Sequence, residues 1–222
     1  MLLFKEYNFA YLHINKTGGS TTKDYLREVL GGDPEVIGLG YRPSGLPRVH
    51  EVITDKKQKL GGKFDELKIL TTIRNPYDRW VSLYTAALRN FKEKRRNHLS
   101  RRAFAAAELP FDKWLIESAF KEDGAQKLPI TRFIFMESFY VDRPFIPNNL
   151  HIIRLEDINE ALPQFLKDEL GVDTDIEIPH KNRSNYVREK KNTMDYYPDY
   201  LRKLIYQTDK YIIDKYYPEF KI

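Results

Sequence analysis

The chain contains no cysteine, which excludes disulfides, thiolate metal sites and a cysteine nucleophile. That composition fits a reducing compartment. No apolar run approaches the roughly 18 residues that a membrane-spanning helix requires. The opening residues, Met1-Leu-Leu-Phe-Lys-Glu6, lack the basic start, long apolar stretch and small-residue cleavage site of a secretory signal. With Met1 as the native start and a first strand expected from Tyr7, no space is left for an anchor and stem. A cytoplasmic chain is therefore expected. Internal repeats and low-complexity tracts are also lacking. No His, Asp and Glu residues cluster at metal-ligand spacing, so no metal is expected.

What remains is a globular composition, 41% apolar and 14% aromatic over 222 residues, enough for one substantial core. A single domain over residues 1–222 is expected. The net charge of +5 is unevenly placed: Lys92–Arg102 holds six basic residues and one acidic one, which matches the whole excess. Such a cluster attracts nucleic acid, anionic lipid or acidic substrates, and a solvated helix extension accounts for it equally well. A nucleic-acid module would interleave stacking aromatics with the charges. Here only the flanking Phe91 is available, so no nucleic-acid partner is expected.

Along the chain, apolar strands alternate with amphipathic helices. Tyr7–Ile14 reads as a buried strand, Asn15–Gly19 as a turn, and Thr21–Leu30 as a helix stopped by Gly31-Gly-Asp-Pro34. Val36–Leu39 reads as a short strand and Glu51–Lys59 as a short helix. Leu67–Ile73 is a second buried strand. Asn75-Pro76-Tyr77-Asp78 then has the composition of a helix start, with Asn as N-cap, Pro in the first turn and Asp at the positive end of the dipole. Helices are expected over Tyr77–Phe91, Phe111–Phe120, Asp157–Leu170 and Asp199–Tyr216, with a late strand at His151–Leu155. The alternation predicts an α/β fold, a central and mostly parallel sheet flanked by helices. Residues 92–150 are expected to form a helical insertion on the acceptor side.

Two segments carry chemistry. In His13-Ile-Asn-Lys-Thr-Gly-Gly-Ser-Thr21, a buried strand turns into a helix. Glycines there let backbone N–H groups converge on an anion, and the helix dipole adds positive potential. Lys16 brings a mobile charge, and Thr17, Ser20 and Thr21 bring hydroxyls. A Walker A loop is excluded: Lys16 precedes the glycines, and the single Gly-Lys pair, Gly62-Lys63, is followed by Phe64. The second segment, Thr71-Thr-Ile-Arg-Asn-Pro-Tyr-Asp-Arg-Trp-Val-Ser82, again joins strand to helix. It places Arg74 at the strand's C-terminal end, where ligands of open α/β sheets bind, and Ser82 eight residues later. An arginine fork there suits a phosphate monoester.

Together these segments resemble the signature of PAPS-dependent sulfotransferases, especially the carbohydrate-type branch. Its H-I-P-K-T-G/A-G-T-S loop and R-N-P-x-x-R-x-x-S segment appear here in the same order as HINKTGGST and RNPYDRWVS. Asn15 replaces the usual proline, and Ser20 and Thr21 exchange the usual order while keeping both hydroxyls. His151–Ile158 is similar to the family's late strand with its R-x-E-D-L-like turn, and His180-Lys-Asn-Arg-Ser184 to its C-terminal H-x-N-x-S element. Residues 92–150 are unmatched. The resemblance implies the P-loop-like sulfotransferase fold and an enzyme that moves a sulfuryl group from PAPS to an acceptor hydroxyl, on a carbohydrate, leaving PAP. A peptide tyrosine or small alcohol fits the residues as well, and an ATP-dependent kinase on a related fold is the competing class.

The same resemblance assigns Lys16 as the catalytic cation and Lys16, Thr17, Gly18, Gly19, Ser20 and Thr21 as holders of the 5′-phosphosulfate. Arg74 and Ser82 take the 3′-phosphate, and Arg183, with Asn182 and Ser184 beside it, closes over the nucleotide. His50 is the expected base, 24 residues before Arg74, with Glu51 the adjacent alternative. Neutral imidazole accepts a proton near pH 7.

Overall fold

The apolar N-terminus forms a hairpin rather than one strand. In this computed structural model, β1 (Leu2–Phe4) and β2 (Phe9–Leu12) pair antiparallel with Phe4 opposite Phe9. Lys5–Tyr7 makes a 3-10 turn between them, closed by Asn8 at φ 47°, a left-handed conformation that asparagine tolerates better than most residues. The expected strand Tyr7–Ile14 is thus shorter at both ends, because Tyr7 and Asn8 are spent on the turn and Ile14 enters the following loop. The structure describes residues 1–38, 52–93, 101–119, 129–138, 141–179 and 192–222. Among these, no helix is long and apolar enough to cross a membrane.

The chain divides into two units, Met1–Arg74 with Arg132–Asn182, and Asn75–Thr131 with Arg183–Ile222. In the first, α1 (Gly19–Leu30) follows β2, and β3 (Glu35–Val36), α2 (Ile53–Leu60) and α3 (Lys63–Glu66) lead to β4 (Lys68–Ile73). A small antiparallel hairpin, β5 (Met136–Ser138) and β6 (Val141–Phe145), precedes β7 (Leu150–Arg154) and α8 (Ile158–Leu170). The five-stranded sheet runs β3-β1-β2-β4-β7. β2, β4 and β7 are parallel neighbours, and β1 is antiparallel to both β2 and β3, so four strands point one way and β1 alone the other.

Register places Tyr11 beside Leu70, and Thr72 beside Ile153. Because strand side chains alternate, Phe9, Tyr11, Leu70 and Ile153 share one face. Tyr25 and Leu26 of α1 and Leu162, Phe165 and Leu166 of α8 bury it, each large side chain contributing about 1.5–3 kcal/mol. The Asn149 carboxamide donates to the carbonyls of Phe64 and Leu67 at 2.8 and 2.9 Å. That ties the start of β7 to the start of β4 and fixes which strand ends lie side by side.

The second unit is helical. α4 (Pro76–Lys92) begins as its composition predicts: the Asn75 side chain accepts from the N–H groups of Tyr77 and Asp78 at 2.8 and 3.4 Å, a cap worth about 1 kcal/mol. Its stripe of Tyr77, Trp80, Val81, Tyr84 and Leu88, at helical spacing, packs with Phe111 and Trp114 of α6 (Phe111–Ala119). α5 (Arg101–Glu108) precedes α6, and α7 (Ile130–Ile134) carries the boundary between the units. Within 92–150, expected as a helical insertion, the described residues hold the β5–β6 hairpin as well as helices. Most of the basic segment, residues 94–100, lies outside the described residues.

The expected single helix Asp199–Tyr216 is two, α9 (Asp199–Thr208) and α10 (Lys210–Tyr216). They break at Asp209, whose φ of −114° and ψ of 26° lie off the helical values. The break has a tertiary cause. Asp209 is fully buried, and its Oδ1 accepts from the Thr131 N–H at 2.8 Å and the Thr131 hydroxyl at 2.9 Å. Burial raises its carboxyl above the ordinary value, while the Thr131 donors and the buried Arg79 guanidinium pull it back.

A raised carboxyl titrates first in the unfolded chain, so its contribution is complete below the unfolded value near 4 and declines as pH rises. Asp209→Asn keeps an acceptor for both Thr131 donors and removes that titration. Relative to wild type, its stability should therefore improve from pH 4 toward pH 8. Asp209→Ala should cost about 1–3 kcal/mol by stranding the Thr131 donors. Urea midpoints across that range check both, and a difference independent of pH would mean an ordinary carboxyl.

Candidate active site

The turn between β2 and α1 is built from alternating backbone hands. Lys16 has φ 66° and Gly18 φ 85°, with Thr17 between them at negative φ. Alternation of this kind turns successive N–H groups toward one point, a nest for an anion. Gly18 is the N-cap of α1 and supplies no side chain to it, and no acidic residue sits in the first turn. The first helical bond runs from the Thr22 N–H to the Gly18 carbonyl at 3.0 Å. The N–H groups of Gly19, Ser20 and Thr21 thus precede the helical ladder, and the positive end of the dipole faces the same way.

Both glycines are required by space. A Cβ on Gly18 would lie 2.3 Å from Leu155 Cδ1, and one on Gly19 would lie 1.9 Å from the His13 ring. Swinging His13 aside would break its stack on Tyr11, whose ring centroid lies 5.9 Å away. Leu155 directly follows β7, two strands away from β2. The end of β7 therefore supports the loop that follows β2.

Of the residues singled out from sequence, Lys16 and Thr21 are half-buried, Ser20 is exposed and Gly19 is buried. Thr17 departs from the expectation that its hydroxyl serves the anion. It is fully buried, and its hydroxyl donates to the Ile14 carbonyl at 2.9 Å. Arg74, half-buried, follows β4, the strand next to β2, so the same sheet edge carries it and the loop. Ser82 lies in the second unit, half-buried on α4, seven residues after Asn75 caps that helix. His50, Glu51, Asn182, Arg183 and Ser184 lie outside the described residues. Arg79, the second arginine of the RNPYDR stretch, is buried with its guanidinium over the Trp80 ring at 5.3 Å. It therefore braces α4 from within.

Sequence reading missed the layer beneath the loop. Tyr11, Thr17, Thr22 and Thr72 are all fully buried. The Tyr11 hydroxyl lies 2.5 Å from Thr72 Oγ1, and Thr72 Oγ1 a longer 3.4 Å from Thr17 Oγ1. Burial pushes the Tyr11 phenol up to about 12, with its bonds to Thr72 and Thr22 acting against that rise. It stays protonated at any working pH and is a hydrogen-bond donor, not a base. The signal was present: Tyr11 and Thr72 put hydroxyls at core positions of strands otherwise read as apolar.

The tight fit gives a test independent of any ligand. Gly19→Ala should lose about 1–3 kcal/mol, the usual cost of overpacking. His13→Ala in the same chain should recover part of that loss. Urea unfolding of the two single variants and the double variant gives the coupling, and strict additivity would mean that the His13 ring yields freely.

The loop, the helix N-terminus and the arginine at one sheet edge form a candidate anion site, of the kind sulfuryl- and phosphoryl-transfer enzymes use. A family model described as the sulfotransferase family matches residues 1–222. No curated protein and no solved structure matches the chain. With the match running over the whole sequence and a five-stranded α/β sheet beneath the site, the chain belongs to the sulfotransferase family, and it is a transferase.

Proposed function

We propose that this enzyme transfers a sulfuryl group from PAPS to the hydroxyl of a carbohydrate acceptor and releases PAP. The observation that carries the reading is the loop with positive φ at Lys16 and Gly18, on the same sheet edge as Arg74. The donor's two anionic ends call for two basic sites, and the two strand–helix junctions supply them. Lys16, Gly18, Gly19, Ser20 and Thr21 are assigned to the 5′ end, with Thr17 holding the loop from below. Arg74 and Ser82 are assigned to the 3′-phosphate and Arg183 to closure over the nucleotide, on the resemblance of their motifs.

PAPS supplies a mixed phosphosulfate anhydride, whose bridging oxygen leaves with the nucleotide. The protein's task is then positioning and charge stabilisation along the line of transfer. Lys16 meets the negative charge that develops on the bridging oxygen as the S–O bond breaks. His50, with Glu51 next to it, takes the proton of the acceptor hydroxyl while the hydroxyl oxygen bonds to sulfur. Segment 92–150 is assigned to acceptor selection. A cytoplasmic setting is part of the proposal and rests on the cysteine-free composition.

Calorimetry of PAP and ATP without magnesium, on wild type and Arg74→Ala, tests the reading. Wild type should bind PAP tightly and ATP weakly. Arg74→Ala should weaken PAP by roughly ten- to a hundredfold, since a bond to a charged group is worth about 1.5–3 kcal/mol. Magnesium-dependent preference for ATP would return the kinase alternative to first place.

A further inference from the structure

The buried hydroxyls under the loop have a direction. Thr17 gives its proton to the Ile14 carbonyl, which can only accept. Its oxygen is therefore the acceptor in the contact with Thr72. With Thr72 donating to Thr17, its oxygen accepts from Tyr11, whose hydroxyl also bonds Thr22. The chain of donation runs from β2 through β4 to the loop. Each member is fully buried, so none can substitute water for a lost partner.

We propose that Tyr11 and Thr72 are positioning residues for the 5′ end of the donor, acting through Thr17 on the Lys16–Gly18 turn. This rests on the donor reading given above. Neither residue reaches the ligand: Tyr11 and Thr72 have no exposed surface. What they set is the conformation of Thr17, which lies between the two left-handed residues of the nest. If Thr17 rotates, Lys16 and Gly18 lose their alternation and the N–H groups no longer converge. The 3′-phosphate is assigned to Arg74, which is not one of the three hydroxyl residues of this chain of donation.

That asymmetry makes the proposal testable with two nucleotides. PAP carries both phosphates, and adenosine 3′-monophosphate carries only the 3′ one. Tyr11→Phe and Thr72→Val should each weaken PAP by about tenfold, the scale of one buried hydrogen bond, and leave adenosine 3′-monophosphate within twofold of wild type. Thr72→Ser, which restores the hydroxyl, should bind PAP like wild type. Urea midpoints identify any variant that fails to fold, and Thr72→Ser then carries the comparison against a Thr72→Ala chain. Equal weakening of both nucleotides would mean a general structural role and overturn the proposal. Unchanged PAP binding in Tyr11→Phe and Thr72→Val would overturn it while the donor reading stands. A wild type that binds neither nucleotide would overturn both.

Discussion

The structure around the site depends on holding Lys16 in a left-handed backbone conformation. For a residue with a Cβ that conformation costs roughly 1–2 kcal/mol, so the turn persists only if its surroundings enforce it. Four contacts do so: the Thr17 hydroxyl on the Ile14 carbonyl, Leu155 beneath Gly18, the His13 ring against Gly19, and the burial of Tyr25 and Leu26 in α1. Two different strand ends are involved, those of β2 and β7. The strand order β2-β4-β7 is what brings them together, and the Asn149 bonds to Phe64 and Leu67 keep β7 in step with β4.

Buried polarity is handled differently under the loop and around Asp209. Under the loop the buried groups are neutral hydroxyls, and Tyr11 is held neutral by burial itself. A fixed negative charge there would oppose any anion bound above it, whereas hydroxyl dipoles orient the loop at little electrostatic cost. In the second unit the buried groups are ionisable, Arg79 and Asp209 with Thr131. Desolvated charges are costly unless paired and hydrogen-bonded, and they demand one geometry. Here that geometry interrupts a helix that the apolar pattern alone would have continued through Asp209.

Much of this was legible in the sequence, for identifiable reasons. β4, α4 and α8 follow from apolar periodicity with strong boundary residues, and the Asn75-Pro76 start of α4 agrees to within a residue. The sheet's mostly parallel character followed from the alternation of strands and helices. The antiparallel β1 did not, because three residues hold too little pattern to separate from β2. Asp209 broke the last helix through a partner 78 residues away in sequence, which no local rule can see. At the site, Lys16 and the glycines stood out because their chemistry is exceptional in a strand-to-helix turn. Thr17 was harder to read: a threonine beside an anion loop is equally able to face inward, and here its hydroxyl donates to the Ile14 carbonyl.

The position of the lysine separates this loop from the Walker type on physical grounds. Where a lysine follows the last glycine, it stands on the first turn of the helix and takes ordinary helical values. Here Lys16 comes before the glycines and itself adopts the left-handed conformation, so its backbone is part of the nest as well as the stem of the cation. Its main chain is then clamped by the same contacts that clamp Thr17 and Gly18, and the root of the side chain is fixed relative to the converging N–H groups. A lysine anchored in this way loses less freedom when it engages an anion than one on a mobile stretch. In the proposed mechanism the conformational cost is incurred at folding, when the core of the first unit forms, rather than at the step in which charge develops on the departing oxygen. On that proposal, preorganisation turns a strained residue into an electrostatic advantage, and the buried structure that converges on so short a turn is what holds it.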